Sequence, residues 1–233
     1  MDDLDEDKFF LLIKNDKIVF ALLNKDDEIS FKKELLINMS YKNDNFELLN
    51  QFLKENLILF EKKIKHFVNE INLIVDTDEA MSISLSSLNS FICSHKFSDD
   101  SISQLLNLKN DVTKNLKNYD LVHMFINKYI INQKSYSVIP ENYFNQNVFL
   151  EINFELIDKN LINNLKNILS KYQILVRNIL SYQYVNLFSE QNVNDIFKLS
   201  NKLLNGHNQN EILFKKRKLK ENGIFAKFFN LFN

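Results

Sequence analysis

Apolar residues recur along this chain with two different periods, and their order predicts strands and helices in alternation. Residues 8–14 and 17–23 are short apolar runs on either side of Asn15-Asp16, the pattern of a hairpin. Residues 29–37 suit a third strand. Asp44 can cap a helix in which Phe46, Leu49, Leu53, Leu57, Phe60, Ile64 and Phe67 repeat at spacings of three and four, one apolar stripe of a long amphipathic helix. Residues 71–75 are almost wholly apolar, as in a buried strand, and 80–93 alternate weakly through Met81, Ile83 and Leu85. Ser98, followed by Asp99 and Asp100, opens a second helix with carboxylates at the positive end of its dipole. Its apolar side reads Ile102, Leu105, Leu106, Leu108, Val112 and Leu116. Strands are expected at 121–126 and 128–133, with Pro140 in the next loop. Residues 148–156 alternate cleanly, Leu150, Ile152, Phe154 and Leu156 on one face against Phe149, Glu151, Asn153 and Glu155 on the other. Asp158 starts a helix carrying Leu161, Leu165, Ile168 and Leu169. A strand at 173–180 and mostly helix over 182–204 complete the body.

Composition narrows the functions open to such a body. A chain of 233 residues, 45% hydrophobic, makes one moderate domain or two small ones with a real core. A net charge of -1 argues against a dedicated nucleic-acid binder. The one cysteine, Cys93, permits no internal disulfide and suits a reducing compartment. No apolar run approaches the roughly 20 residues of a spanning helix, and the start of the chain is acidic, so the expected address is cytoplasmic. The two glycines are Gly206 and Gly223. Phosphate-cradling loops need glycine where backbone must approach phosphate closely, so Walker and dinucleotide sites are excluded from the first 205 residues.

The end of the chain carries the clearest functional signal. Over 211–233, six bases (Lys215, Lys216, Arg217, Lys218, Lys220 and Lys227) stand against Glu211 and Glu221, a net of +4. Beyond Asn222-Gly223, Ile224, Phe225, Phe228, Phe229 and Phe232 share one side of a helix, with Leu231 beside them and Lys227 and Asn230 opposite. Phenylalanines in the interfacial layer and lysines among anionic headgroups together make a reversible anchor. The competing reading is a helix docked on its own protein or in a partner's groove.

Candidate chemistry is sparse. Asp76-Thr77-Asp78 follows an apolar strand, the spacing of an aspartate nucleophile and a second carboxylate acting as acid and base. No glycine-bearing acidic loop follows, and a strand-end turn accounts for the same residues. Cys93, His95, His66, His123 and His207 are scattered without metal-ligand spacing, so no metal and no catalytic residue is assigned.

Two strings then acquire a further meaning. Val122-His123-Met124-Phe125, followed by Tyr129-Ile130-Ile131-Asn132-Gln133, resembles a segment of FtsA, the actin-like bacterial protein that tethers the division ring to the membrane. The strand 149–157 and helix 158–171, with Asn164-Leu165-Lys166-Asn167, resemble the next elements of that family's small SHS2-type insert. FtsA also ends in a linker and a short amphipathic helix. The family's phosphate loop falls on 11–20, here without its glycine, and its second glycine-rich loop does not follow residue 188. The resemblance therefore implies an α+β protein with no nucleotide and no cofactor: a degenerate actin-like subdomain over 1–97, an SHS2-like subdomain with a following strand over 98–188, a helix at 189–204, a basic linker at 205–222 and an amphipathic helix at 223–233. The implied function is a non-enzymatic peripheral adaptor whose partners are an anionic membrane surface and cell-division proteins. Pilus-assembly relatives of the same actin group, an interaction module whose tail fills a partner groove, and a phosphohydrolase using Asp76 and Asp78 are the alternatives.

Overall fold

The computed structural model describes residues 7–37, 45–92, 96–97, 99–140, 147–189 and 195–213. The expected caps Asp44 and Ser98, the Cys93 and His95 pair, and the whole tail from residue 214 lie outside the described residues. The chain is a mixed α/β protein built on two five-stranded sheets.

The first sheet holds β1 (Lys8–Lys14), β2 (Lys17–Leu23), β3 (Ile29–Leu36), β4 (Glu70–Asp76) and, much later in the chain, β10 (Leu175–Ser181), in the order β10-β4-β1-β2-β3. β1, β2 and β3 form an antiparallel meander, while β4 and β10 run parallel to β1. Strands β1, β2 and β4 are buried on both faces, which is why they read as continuous apolar runs rather than alternating ones. One face is covered by α1 (Asn45–Ile64) and α3 (Lys159–Ser170) around Phe9, Phe20, Phe60 and Leu165. The short helices α4 (Tyr182–Asn186) and α5 (Ile196–Leu204) cover the other around Phe10, Val19, Tyr184 and Phe197.

The second sheet lies within the crossover from β4 to β10. It comprises β5 (Ala80–Ile92), β6 (Lys96–Phe97), β7 (Tyr119–Ile131), β8 (Lys134–Tyr136) and β9 (Asn147–Asp158), in the order β6-β5-β9-β7-β8, all neighbours antiparallel. Helix α2 (Asp99–Asn115) packs on the face that presents Leu150, Ile152, Phe154 and Leu156. The opposite face of β9 and β5 shows Phe149, Glu151 and Asn153 beside Ser82, Ser84 and Ser86. Asp158 caps α3 as expected, its carboxylate accepting from the N–H groups of Asn160 and Leu161 at 2.7 and 3.0 Å.

Several expectations change. Sheet membership does not follow a division at 97/98: β5 pairs with β9 from Ala80↔Ile157 to Ser90↔Asn147, so the second sheet begins at residue 80, and β10 returns to the first. Residues 121–126 and 128–133 are one strand, because a bulge between Ile126 and Lys128 carries β7 through the break in its pattern. The strand ends at Asn132 and Gln133, both at positive φ, in the tight turn to β8. On α2, Leu105 and Val112 are buried while Ile102 and Leu106 are exposed, which narrows the apolar side. Among the described residues, the mostly helical stretch expected over 182–204 comprises α4 and α5.

Helix α1 stops before Phe67. Lys65 takes φ 63°, and its N–H closes on the Glu61 carbonyl at 2.8 Å, a left-handed C-terminal cap made without glycine. A side chain in that region costs about 1 kcal/mol. Lys65→Gly should therefore stabilise the protein by roughly that amount and raise the Tm by about 2–4 °C in a thermal melt. An unchanged or lowered Tm would show that the lysine at the cap carries no strain.

Candidate functional site

Open sheets with parallel strands bind ligands in the crevice beyond the carboxyl ends of those strands. Here β1, β4 and β10 all end at one place, and a cleft of about 490 Å³ opens there, lined by Lys14, Asn15, Asp16, Asp76, Thr77, Asp78, Ala80 and Gln183. The β1–β2 hairpin supplies the first three residues, the turn between β4 and β5 with its flanking strand ends the next four, and α4 the glutamine.

These side chains are engaged with one another. Lys14 Nζ lies 2.8 Å from Asp76 Oδ2 and 4.0 Å above the Tyr182 ring. Burial pulls the Lys14 ammonium down, but the hydrogen bond and charge of Asp76 outweigh it and leave the group above its ordinary value. Asn15 donates to Asp78 Oδ1 at 3.1 Å. The two carboxylates weighed above as nucleophile and acid are thus both bound by the hairpin that faces them. The turn that faces these carboxylates, Lys14, Asn15 and Asp16, contains no glycine.

Behind the cleft, a buried polar network joins the two sheets. Glu155 on β9 accepts from Ser82 Oγ at 2.7 Å and Ser181 Oγ at 3.2 Å. His123 on β7 stacks on Tyr184, ring centroids 3.8 Å apart. Its Nε2 accepts the Ser181 backbone N–H at 3.2 Å, so its proton sits on Nδ1, which donates to Glu211 Oε1 at 2.8 Å. His123 is thus structural, both of its ring nitrogens being engaged within the protein.

Glu211 belongs to a segment the sequence reads as linker. Residues 208–212 instead form a strap along the edge of β7. The Ile126 N–H donates to the Asn210 carbonyl at 3.0 Å, and the Ile212 N–H to that of Met124 at 2.7 Å. Tyr129 Oη donates to Asn210 Oδ1 at 3.0 Å, and Asn208 Nδ2 to Tyr184 Oη at 3.1 Å. The strap has no hydrophobic period, and its signal is the run of asparagines before Glu211, indistinguishable by composition from a polar loop.

The remaining sequence candidates do not join the cleft. His66 is exposed after α1, 3.6 Å from Asp7, and His207 is exposed after α5. Among the described residues no group of three His, Cys, Asp or Glu side chains is placed to hold a metal ion. No described helix is long and apolar enough to cross a membrane. The tail residues Lys215, Lys216, Arg217, Lys218, Lys220, Ile224, Phe225, Phe228, Phe229, Leu231 and Phe232 lie outside the described residues.

No protein-family model matches the chain, and no curated protein matches it. Three solved structures are similar in part. One is the cytoplasmic domain of EpsL, an inner membrane component of the type II secretion system of Vibrio cholerae (8% identity, TM-score 0.42, covering 80% of this chain and 61% of that one). Another is a PilM–PilN type IV pilus biogenesis complex (8%, TM-score 0.49, 79% and 50%). The third is a Bacteroides thetaiotaomicron protein of unknown function with an actin-like ATPase fold (16%, TM-score 0.37, 81% and 58%). The chain spans between half and about three-fifths of the length of these proteins.

Proposed function

We propose that this chain is a non-enzymatic adaptor that works on the inner face of the cytoplasmic membrane, an FtsA-like tether in which the folded body holds a protein partner and the tail from Lys215 to Phe232 holds the lipid. The observation that carries the non-enzymatic part is the cleft itself. Lys14 with Asp76 and Asn15 with Asp78 pair across the place where a sheet of this kind takes its ligand. A phosphate entering there would have to break both contacts and approach two carboxylates. The membrane part rests on the sequence of the tail, five apolar residues on one helical side next to five bases. An adaptor of this sort fits a division ring, or a pilus or secretion machine of the kinds named for the similar structures.

Sedimentation of the full chain with anionic vesicles tests the reading. Phe228→Ser with Phe229→Ser should lower partitioning by at least about tenfold, since each aromatic side chain removed from an apolar layer forfeits roughly 1.5–3 kcal/mol. ATP should give no binding heat. Unchanged partitioning of the double variant, or clear ATP binding, defeats the proposal. A second reading has one observation in its favour, the presence of Asp16, Asp76 and Asp78 in one cleft. Magnesium-dependent hydrolysis of a phosphate ester that disappears in Asp76→Asn would establish it.

A further inference from the structure

The two ends of the first sheet differ in kind. At one, the cleft side chains close on each other. At the other, β4 and β10 begin and α1 and α3 finish, because each parallel strand is reached from the carboxyl end of the helix before it. Into this second end the chain sets Lys62 and Lys65 from the close of α1 and Lys171 from the close of α3, all exposed. The segments that follow those helix ends carry two large apolar side chains, Phe67 at 75% exposure and Leu175 at 65%. Leu175 is tied to the same corner by its N–H, which donates to the Asn69 carbonyl at 2.8 Å.

Among the described residues, the acids at this corner have partners. Glu70 meets Arg177 at 3.4 Å, Asp7 meets His66 at 3.6 Å, and Glu61 accepts from the Val68 N–H at 3.0 Å. The β2–β3 hairpin reaches the same end with Asp26, Asp27 and Glu28, but at the far edge of the sheet, where Asp27 holds Asn201 and Glu28 holds Lys198. Among the described residues at this end of the sheet, lysines without a nearby free acid and exposed apolar side chains occur together at the corner of β4 and β10.

We propose that this corner is a second membrane contact, in which anionic phospholipid headgroups meet Lys62, Lys65 and Lys171 while Phe67 and Leu175 enter the interfacial layer. It rests on the peripheral-membrane reading for its occupant and adds to it a site on the folded body. Geometry permits both contacts at once. Glu211 of the strap bonds His123, which in turn bonds Ser181, one strand length from Leu175, or about 20–23 Å for seven residues. Ile224 stands 11 residues beyond Leu213, a maximum reach of about 36–40 Å. Two weak contacts on one chain reinforce each other through effective concentration.

The full chain is sedimented with vesicles of phosphatidylglycerol and phosphatidylcholine in equal parts, with phosphatidylcholine alone as control. Lys62→Glu with Lys65→Glu should lower partitioning into the anionic vesicles by roughly tenfold or more, from the charge near the surface. Phe67→Ser should lower it on its own, with the thermal melt nearly unchanged because Phe67 is 75% exposed. If both corner variants partition like the parent while Phe228→Ser with Phe229→Ser does not, the corner is no lipid contact and the tail reading survives. If the parent itself ignores anionic vesicles, both readings fall together.

Discussion

Phe60→Ala should remove about 3–5 kcal/mol of stability, a large share of what a domain of this size possesses. Phe60 is buried near the end of α1, with Phe20 at 4.5 Å, Phe31 at 4.3 Å and Phe9 at 5.8 Å between ring centroids, all edge-on. The ring bolts the helix to three strands of the first sheet. Truncation would leave a cavity bounded by rigid aromatics on β1, β2 and β3, which cannot close on it, and would forfeit three edge-to-face contacts. At about 2–4 °C per kcal/mol, the Tm should fall by roughly 6–20 °C. Ile58→Ala and Leu59→Ala on the exposed side of the same helix should each cost under about 0.5 kcal/mol. Equal losses at all three positions would mean that α1 is held by something other than this aromatic cluster.

The second large effect is a loss of stability in alkali. Burial pushes the Tyr129 phenol up to about 12, and Tyr184 further still, through burial and then the neighbouring Glu211 carboxylate against the opposing hydrogen bond from Asn208. Both groups keep their protons more tightly folded than unfolded, where a phenol titrates near 10. Their contribution is complete below about pH 10 and is lost as pH rises through the folded values. For Tyr129 alone, two pKa units correspond to about 2.7 kcal/mol, an order-of-magnitude figure. Both phenols hold the strap, so residues 208–212 should leave β7 as they ionise. Denaturant unfolding midpoints should be level through neutral pH and decline steeply above pH 10, with the last tyrosines ionising only as the protein unfolds. A midpoint that stays level to pH 12 would contradict this.

Local pattern made much of this fold legible in the sequence. The hairpin at Asn15-Asp16, the stripe from Leu49 to Phe60, the alternation at Leu150–Leu156 and the cap at Asp158 each depend on residues within a turn or two of one another. What pattern cannot carry is the choice of partner. The residues of β5 alternate as a strand would in either sheet, and only the eleven-residue match with β9 assigns it to the second. β10 reads as a strand, but nothing near it announces that its neighbour is β4, about a hundred residues earlier. Phe67 keeps the helical spacing of α1 and still falls outside the helix, because spacing does not register the left-handed turn at Lys65. The cleft was half legible: Asp76 and Asp78 stood out, but the side chains that occupy them, Lys14 and Asn15, looked like ordinary hairpin residues. His123 stood out as well, while Glu211, which fixes its proton, was hidden in a polar run.

The placement of the second sheet inside the β4-to-β10 crossover also sets an order of events during synthesis. Strands β1 to β4 and helix α1 are all made within the first 76 residues and can assemble as they leave the ribosome. The outer edge of β4 then waits, unpaired and apolar, while the intervening sheet is translated and β10 arrives. Closure over so long a span is slow, and an open apolar edge recruits other nascent chains. Polysomes crowded with this message would therefore be the place where the protein is most prone to aggregate, and a chaperone that shields that edge would be its most useful companion.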